Sequence, residues 1–126
     1  MTADLVAFLR VRLDEDERAA RAALGAPWIR REGVAGVHSD STDDYPHGAP
    51  IADCRRIQAE YEDRVAVAEH IVRHQPARVL AEVAAKRQMI DDTWGGPDQE
   101  DVWLHHVRLL ALPYADHPDY REEWRP

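Results

Sequence analysis

Residues 54–90 read CRRIQAEYEDRVAVAEHIVRHQPARVLAEVAAKRQMI, and the reading of this stretch decides the fold. Its side chains at Cys54, Ile57, Tyr61, Val65, Ala68 and Val72 step by three and four, the spacing of one face of an α-helix. The pattern predicts a helix over 53–74. Gln75-Pro76 then closes it and opens the next, because a proline at the first helical position gives up a donor that would be unpaired there anyway. The second of the pair is predicted over 76–92, with Val79, Leu80, Val83 and Ile90 inward and a Glu82 to Lys86 ion pair outward. Trp94-Gly95-Gly96-Pro97 ends it.

Working outward, residues 2–24 set Leu5, Phe8, Leu9, Leu13, Ala20 and Leu24 on one helical face, with Thr2 as cap and Gly25-Ala26-Pro27 as the stop. The run Asp14 to Glu17 is a solvated face with ion-pair partners four residues on, at Arg18 and Arg21. On the other side, a helix is predicted over 98–112 with a broad apolar face of Val102, Trp103, Val107, Leu109 and Leu110, a face that belongs deep in a bundle. His106 falls among these residues and reads as a hydrogen-bonded core histidine. A tail over 113–126 carries Tyr120 and Trp124 four residues apart and is expected to dock. Between residues 27 and 52 the helical period disappears, and Gly33, Gly36, Pro46, Gly48 and Pro50 punctuate the chain. Trp28-Ile29, Val34 to His38 and Ala49 to Ala52 are expected as short strands, and Ser39 to His47 as an acidic loop. The fold class expected is mainly α: one four-helix bundle-like domain over 1–126, with a small β-hairpin insert between helix one and helix two.

Composition narrows the function classes. A formal net charge of -8 opposes non-specific phosphate binding, so nucleic acid is a disfavoured partner. No run approaches the roughly 20 apolar residues that span a bilayer, which argues against a membrane partner. Cys54 is the sole cysteine, so neither an intrachain disulfide nor a cysteine-rich zinc site can form, and a cytoplasmic location is expected. Lys86 is the only lysine among 16 basic residues, a bias of GC-rich coding.

No catalytic residues are assigned, because Ser39, Ser41, Thr42 and Thr93 fall in loops or turns without a nucleophile elbow, and no glycine spacing suits a phosphate loop. The sharpest chemical feature is His70 and His74. Four residues apart, they project from one helical face, roughly opposite the apolar stripe and on the side of Asp63. With His117 or His105 as a further ligand they make a candidate zinc or iron site, against the plainer reading of two surface imidazoles at a helix end favoured by its dipole. For interaction, Arg73 and Arg78, with Lys86 and Arg87, give the middle helices a basic face, and Trp28 and Trp124 are candidate contact anchors. The expected partner is a protein or a second copy of the chain.

The stretches LVAFLRVRLDEDERAARAA (residues 5–23), HIVRHQPARVLAEVAAKR (residues 70–87) and VRLLALPYADHPDYREEWRP (residues 107–126), with Trp28 between, resemble an uncharacterised actinobacterial family of unknown function, DUF6221. The layout is also similar to small phage-encoded proteins of the Ea22 type. The resemblance implies an intracellular accessory protein, associated with phage or mobile elements, and no reaction. Three functions follow as expectations: an interaction module, a metal-binding protein or metal-dependent hydrolase using the histidines, and an acidic mimic of nucleic acid.

Overall fold

The computed structural model describes residues 2–23, 25–92 and 97–126. Leu24 as the last apolar residue of helix one, Thr93, and the helix stop at Trp94, Gly95 and Gly96 lie outside the described residues. Within them the chain is mainly α, with helices α1 (Thr2–Ala23), α2 (Tyr61–Arg73), α3 (Pro76–Asp91) and α4 (Glu100–Ala111). A three-stranded antiparallel sheet, β1 (Trp28–Ile29), β2 (Gly36–Ser39) and β3 (Pro50–Asp53), is inserted between α1 and α2. The chain divides into two compact units: the residues up to Ala19 with Leu80–Pro126, and Ala20–Val79.

The first unit is organised by the apolar face of α1. Leu5, Leu9 and Leu13 are fully buried beside Phe8, joined by Val83 and Ile90 of α3, Val107 and Ala111 of α4, and Trp124 of the tail. Burying a leucine side chain contributes about 2 kcal/mol, so this stripe is the largest single stabilising element of the unit. The tail docks on it through aromatic rings: the Phe8 centroid lies 5.7 Å from His117, 5.9 Å from Tyr120 and 5.2 Å from Trp124. Arg12 sits on the same face and is buried with them. Its guanidinium lies 5.3 Å from the Phe8 ring centre, contacts His117 Nε2, and donates to Glu15 at 3.0 Å. The Tyr114 hydroxyl donates to Asp16 at 2.5 Å; burial, and then this bond, push its pKa well up. The acidic run of α1 also faces α3, where Arg87 meets Asp14 at 2.5 Å and Glu17 at 2.9 Å.

The α4 face corrects the sequence reading. Val102, Leu109 and His106 are exposed, so His106 is not a core histidine. Apolar residues spread around a 12-residue helix cannot all be covered from one side, and Val107 and Ala111, four apart, take the buried side.

The second unit rests on a smaller core of Val37, Cys54 and Ala68, with Trp28, Ala52, Ile71 and Val72 packed against it. β1 pairs with β2 through Trp28↔Ser39 and Ile29↔His38, and β2 with β3 through Gly36↔Asp53, Val37↔Ala52 and His38↔Pro50. The shift between Val37 and His38 is a bulge that leaves Ile51 unmatched. α2 lies against β2.

The second helix begins at Tyr61, not at residue 53. The reason is local. Asp53 ends a strand, and its carboxylate accepts the Arg55 backbone N–H at 3.0 Å and the Arg55 guanidinium at 2.9 Å, folding the chain into a turn. The Arg55 side chain and then its backbone N–H hold the Asp53 carboxyl far below the usual carboxylate range. Cys54 is buried, as its place on the stripe suggests, yet from the residue just past β3, whose N–H donates to Ala35 O at 3.1 Å. Ile57 and Tyr61 are left exposed.

The acidic loop is tied by its own polar groups. The Ser39 N–H donates to Ala49 O at 2.8 Å, its hydroxyl accepts the Ala49 N–H at 2.8 Å and donates to Asp40 O, and Thr42 closes a turn with Tyr45. Gly48 has φ +80, and a Cβ there would collide with the Ser39 carbonyl oxygen.

Candidate functional site

The corner between α2 and α3 is two residues, His74 and Gln75, and Pro76 is the first residue of α3. Pro76 cannot extend α2, and the Arg78 and Val79 N–H groups both donate to Gln75 O, at 3.0 and 3.2 Å, which starts α3. The Gln75 side chain turns the other way. Its Oε1 accepts the Trp28 N–H at 3.1 Å, and its Nε2 donates to Trp28 O at 3.4 Å and to Val72 O at 3.1 Å. One side-chain amide thus holds β1 to the helix corner.

That bond leaves a broad open groove of about 660 Å³ beside the corner. Arg30 enters it from the residue after β1, Glu69 and Arg73 from α2, and Ala77 and Arg78 from α3. Arg30 pairs with Glu69 at 3.4 Å, and Arg78 donates to Arg73 O at 3.2 Å. Three arginines and one carboxylate thus line one groove on a chain with net charge -8. Planar guanidinium forks suit carboxylate or phosphate oxygens in pairs.

Arg73 and Arg78 are thus brought together as the basic face of the sequence suggests. Arg87 is engaged with Asp14 and Glu17 in the other unit. Trp28 is half-buried: its side chain packs on the Val37 core while its backbone meets Gln75. Trp124 corrects its expected role. It is 4% exposed in the first unit, because the last turn of the chain lays it on Phe8, so it anchors the tail and presents no contact surface.

Of the four candidate metal ligands, the structure brings two together. His70 and His74 are exposed at the end of α2, with ring centroids 4.4 Å apart. Asp63 stands in the first turn of that helix, about 10 Å away along the axis from His70. His117 belongs to the first unit, where Arg12 faces its Nε2 and the Asp119 N–H donates to its Nδ1 at 3.1 Å. Among the described residues no group of three His, Cys, Asp or Glu side chains stands where it could hold zinc or iron.

Arg30 and Gln75 were not singled out by sequence. Arg30 lies in the aperiodic segment, where only the alternation Trp28, Ile29, Arg30 hints that it shares a side with Trp28. Gln75 carries no signal beyond preceding a proline.

No helix among the described residues is long and apolar enough to cross a membrane. No curated protein and no solved structure matches the chain. A profile described as a family of unknown function matches residues 2–126, nearly the whole sequence, and the chain belongs to that family, DUF6221.

Proposed function

We propose that this protein is a non-catalytic interaction module whose Arg30, Arg73 and Arg78 groove receives an acidic segment of a partner protein. The observation that carries the reading is the gathering of three arginines around one groove in a chain that is otherwise acidic. Attraction to carboxylates is local there, while the net charge of -8 keeps polyanionic nucleic acid away. The same proposal includes an intracellular accessory role, with the association to phage or mobile elements that the second resemblance implies.

The test uses a fluorescein-labelled decapeptide of alternating Glu and Ala, followed by anisotropy. Arg73→Ala and Arg78→Ala are each expected to weaken binding about tenfold, the loss of one charge-assisted contact. Equal binding by wild type and the double variant removes the proposal. Raising the salt should weaken the wild type and leave the double variant almost unmoved.

A further inference from the structure

Beside the groove stand the two imidazoles that close α2. His70 lies in the last turn of the helix and His74 is its C-cap. Both are exposed, and among the described residues neither ring has a hydrogen-bond or ion-pair partner; each has only the other ring. An imidazole nitrogen binds a transition metal at about 2.1 Å and sits about 1.2 Å from its own ring centre, so two rings on one ion have centres about 4.5 to 5 Å apart. The His70 and His74 centroids are 4.4 Å apart, with the ring planes tilted by 41°. A spacing of four brings them to that distance, because residues four apart lie one above the other on a helix. His105 and His106, adjacent in sequence, leave their helix in different directions, and their centroids are 6.2 Å apart.

The backbone holds the pair ready. The His74 N–H donates to His70 O and to Ile71 O, each at 3.2 Å, so the last helical bond joins the two residues directly. On its other side His74 is followed by Gln75, whose side chain is fastened to Trp28 and to Val72 O. Once one imidazole of such a pair holds an ion, the second meets it without a separate encounter. The field favours a cation as well: the C-terminal end of a helix carries partial negative charge, and the chain has a net charge of -8. Arg73, the cation between them in sequence, lines the groove on the adjoining face.

We propose that His70 and His74 chelate one divalent transition-metal ion, copper(II) ahead of nickel(II) and zinc, with water in the remaining positions. The donor set makes the selection, since imidazole nitrogen suits these three ions whereas calcium and magnesium require oxygen. Two protein ligands leave the shell open, so the ion exchanges and is not a closed structural centre. The site is independent of the groove and does not rest on its function.

Calorimetric titration of the tag-free full chain with nickel chloride should show one tight ion per chain. His70→Ala and His74→Ala, at exposed positions, should each melt like the wild type without metal, yet bind nickel at least about tenfold more weakly. Should either fail to fold, His70→Gln and His74→Gln must meet the same requirement. The double variant His105→Ala, His106→Ala should keep the wild-type affinity, and calcium chloride should give no binding heat. One equivalent of copper(II) should give an electron paramagnetic resonance spectrum coupled to two imidazole nitrogens in the wild type and to at most one in each single variant. A wild type without a saturable nickel phase overturns the proposal. So does equally tight binding by the variant lacking both His70 and His74, or a loss of affinity in only one of the single variants, which would mark a lone imidazole.

Discussion

The two units are stabilised by different means. The first buries Leu5, Leu9, Leu13, Phe8, Ile90 and Trp124 on one another's apolar surface, whereas the core of the second is Val37, Cys54 and Ala68, small side chains under a short sheet. What the second lacks in apolar volume it replaces with directed polar contacts: Gln75 on Trp28, Ser39 on Ala49, Asp53 on Arg55. Apolar burial tolerates small shifts, and hydrogen bonds between distant segments do not. A groove that must keep three arginines in register is accordingly found on the unit held by directed bonds.

The contrast can be broken, beginning with the largest effect. Leu9→Ala should cost about 3 kcal/mol by urea denaturation, since Leu9 is wholly buried and leaves a cavity; a loss below about 1 kcal/mol would show that the α1 stripe does not dominate its unit. Gly48→Ala should cost about 2 kcal/mol, because a positive φ and the Ser39 carbonyl both oppose a Cβ. That loss removes hardly any apolar area, so a similar deficit in the second unit would come from backbone geometry alone. Gln75→Ala should cost about 1.5 kcal/mol by leaving the Trp28 N–H without its partner, and should also weaken acidic-peptide binding by displacing Arg30.

The smallest effect sharpens the comparison from the first unit. The Tyr114 pKa is raised in the fold, so its contribution is fully present below the unfolded tyrosine value of about 10 and is lost as pH rises beyond it. Tyr114→Phe should therefore flatten the alkaline limb of a stability profile above about pH 10 and leave the neutral region less affected. An unchanged alkaline limb would place the half-buried phenol outside the docking of the tail.

How much was legible follows the same division. Leu5, Leu9, Leu13, Val83 and Ile90 announced their burial, because a helix converts spacing along the chain directly into a face. The start of α2 was not legible. Cys54 and Ile57 fit the helical period, yet pairing of Pro50–Asp53 with β2 and the Asp53 turn claim that segment, and such pairing depends on residues some fifteen positions upstream. The strands were placed near their observed positions, displaced by one or two residues where the bulge at Val37 and His38 intervenes. For the site, Arg73 and Arg78 were visible as charge on neighbouring helices. Arg30 joins them through the Gln75 bond to Trp28, across a separation of 47 residues, and through its own pair with Glu69, and no local pattern encodes either contact.

The Gln75 amide has one more consequence. In the strand order β1-β2-β3, β1 is a border of the sheet, and the outward N–H and C=O of Trp28 are the groups a foreign strand would pair with. Gln75 answers both with its own amide, imitating one residue of an absent fourth strand. The sheet is thus sealed on that border against growth into aggregates by a side chain, and a change as small as amide to carboxylate, Gln75→Glu, would turn that seal into a mismatch opposite the Trp28 carbonyl.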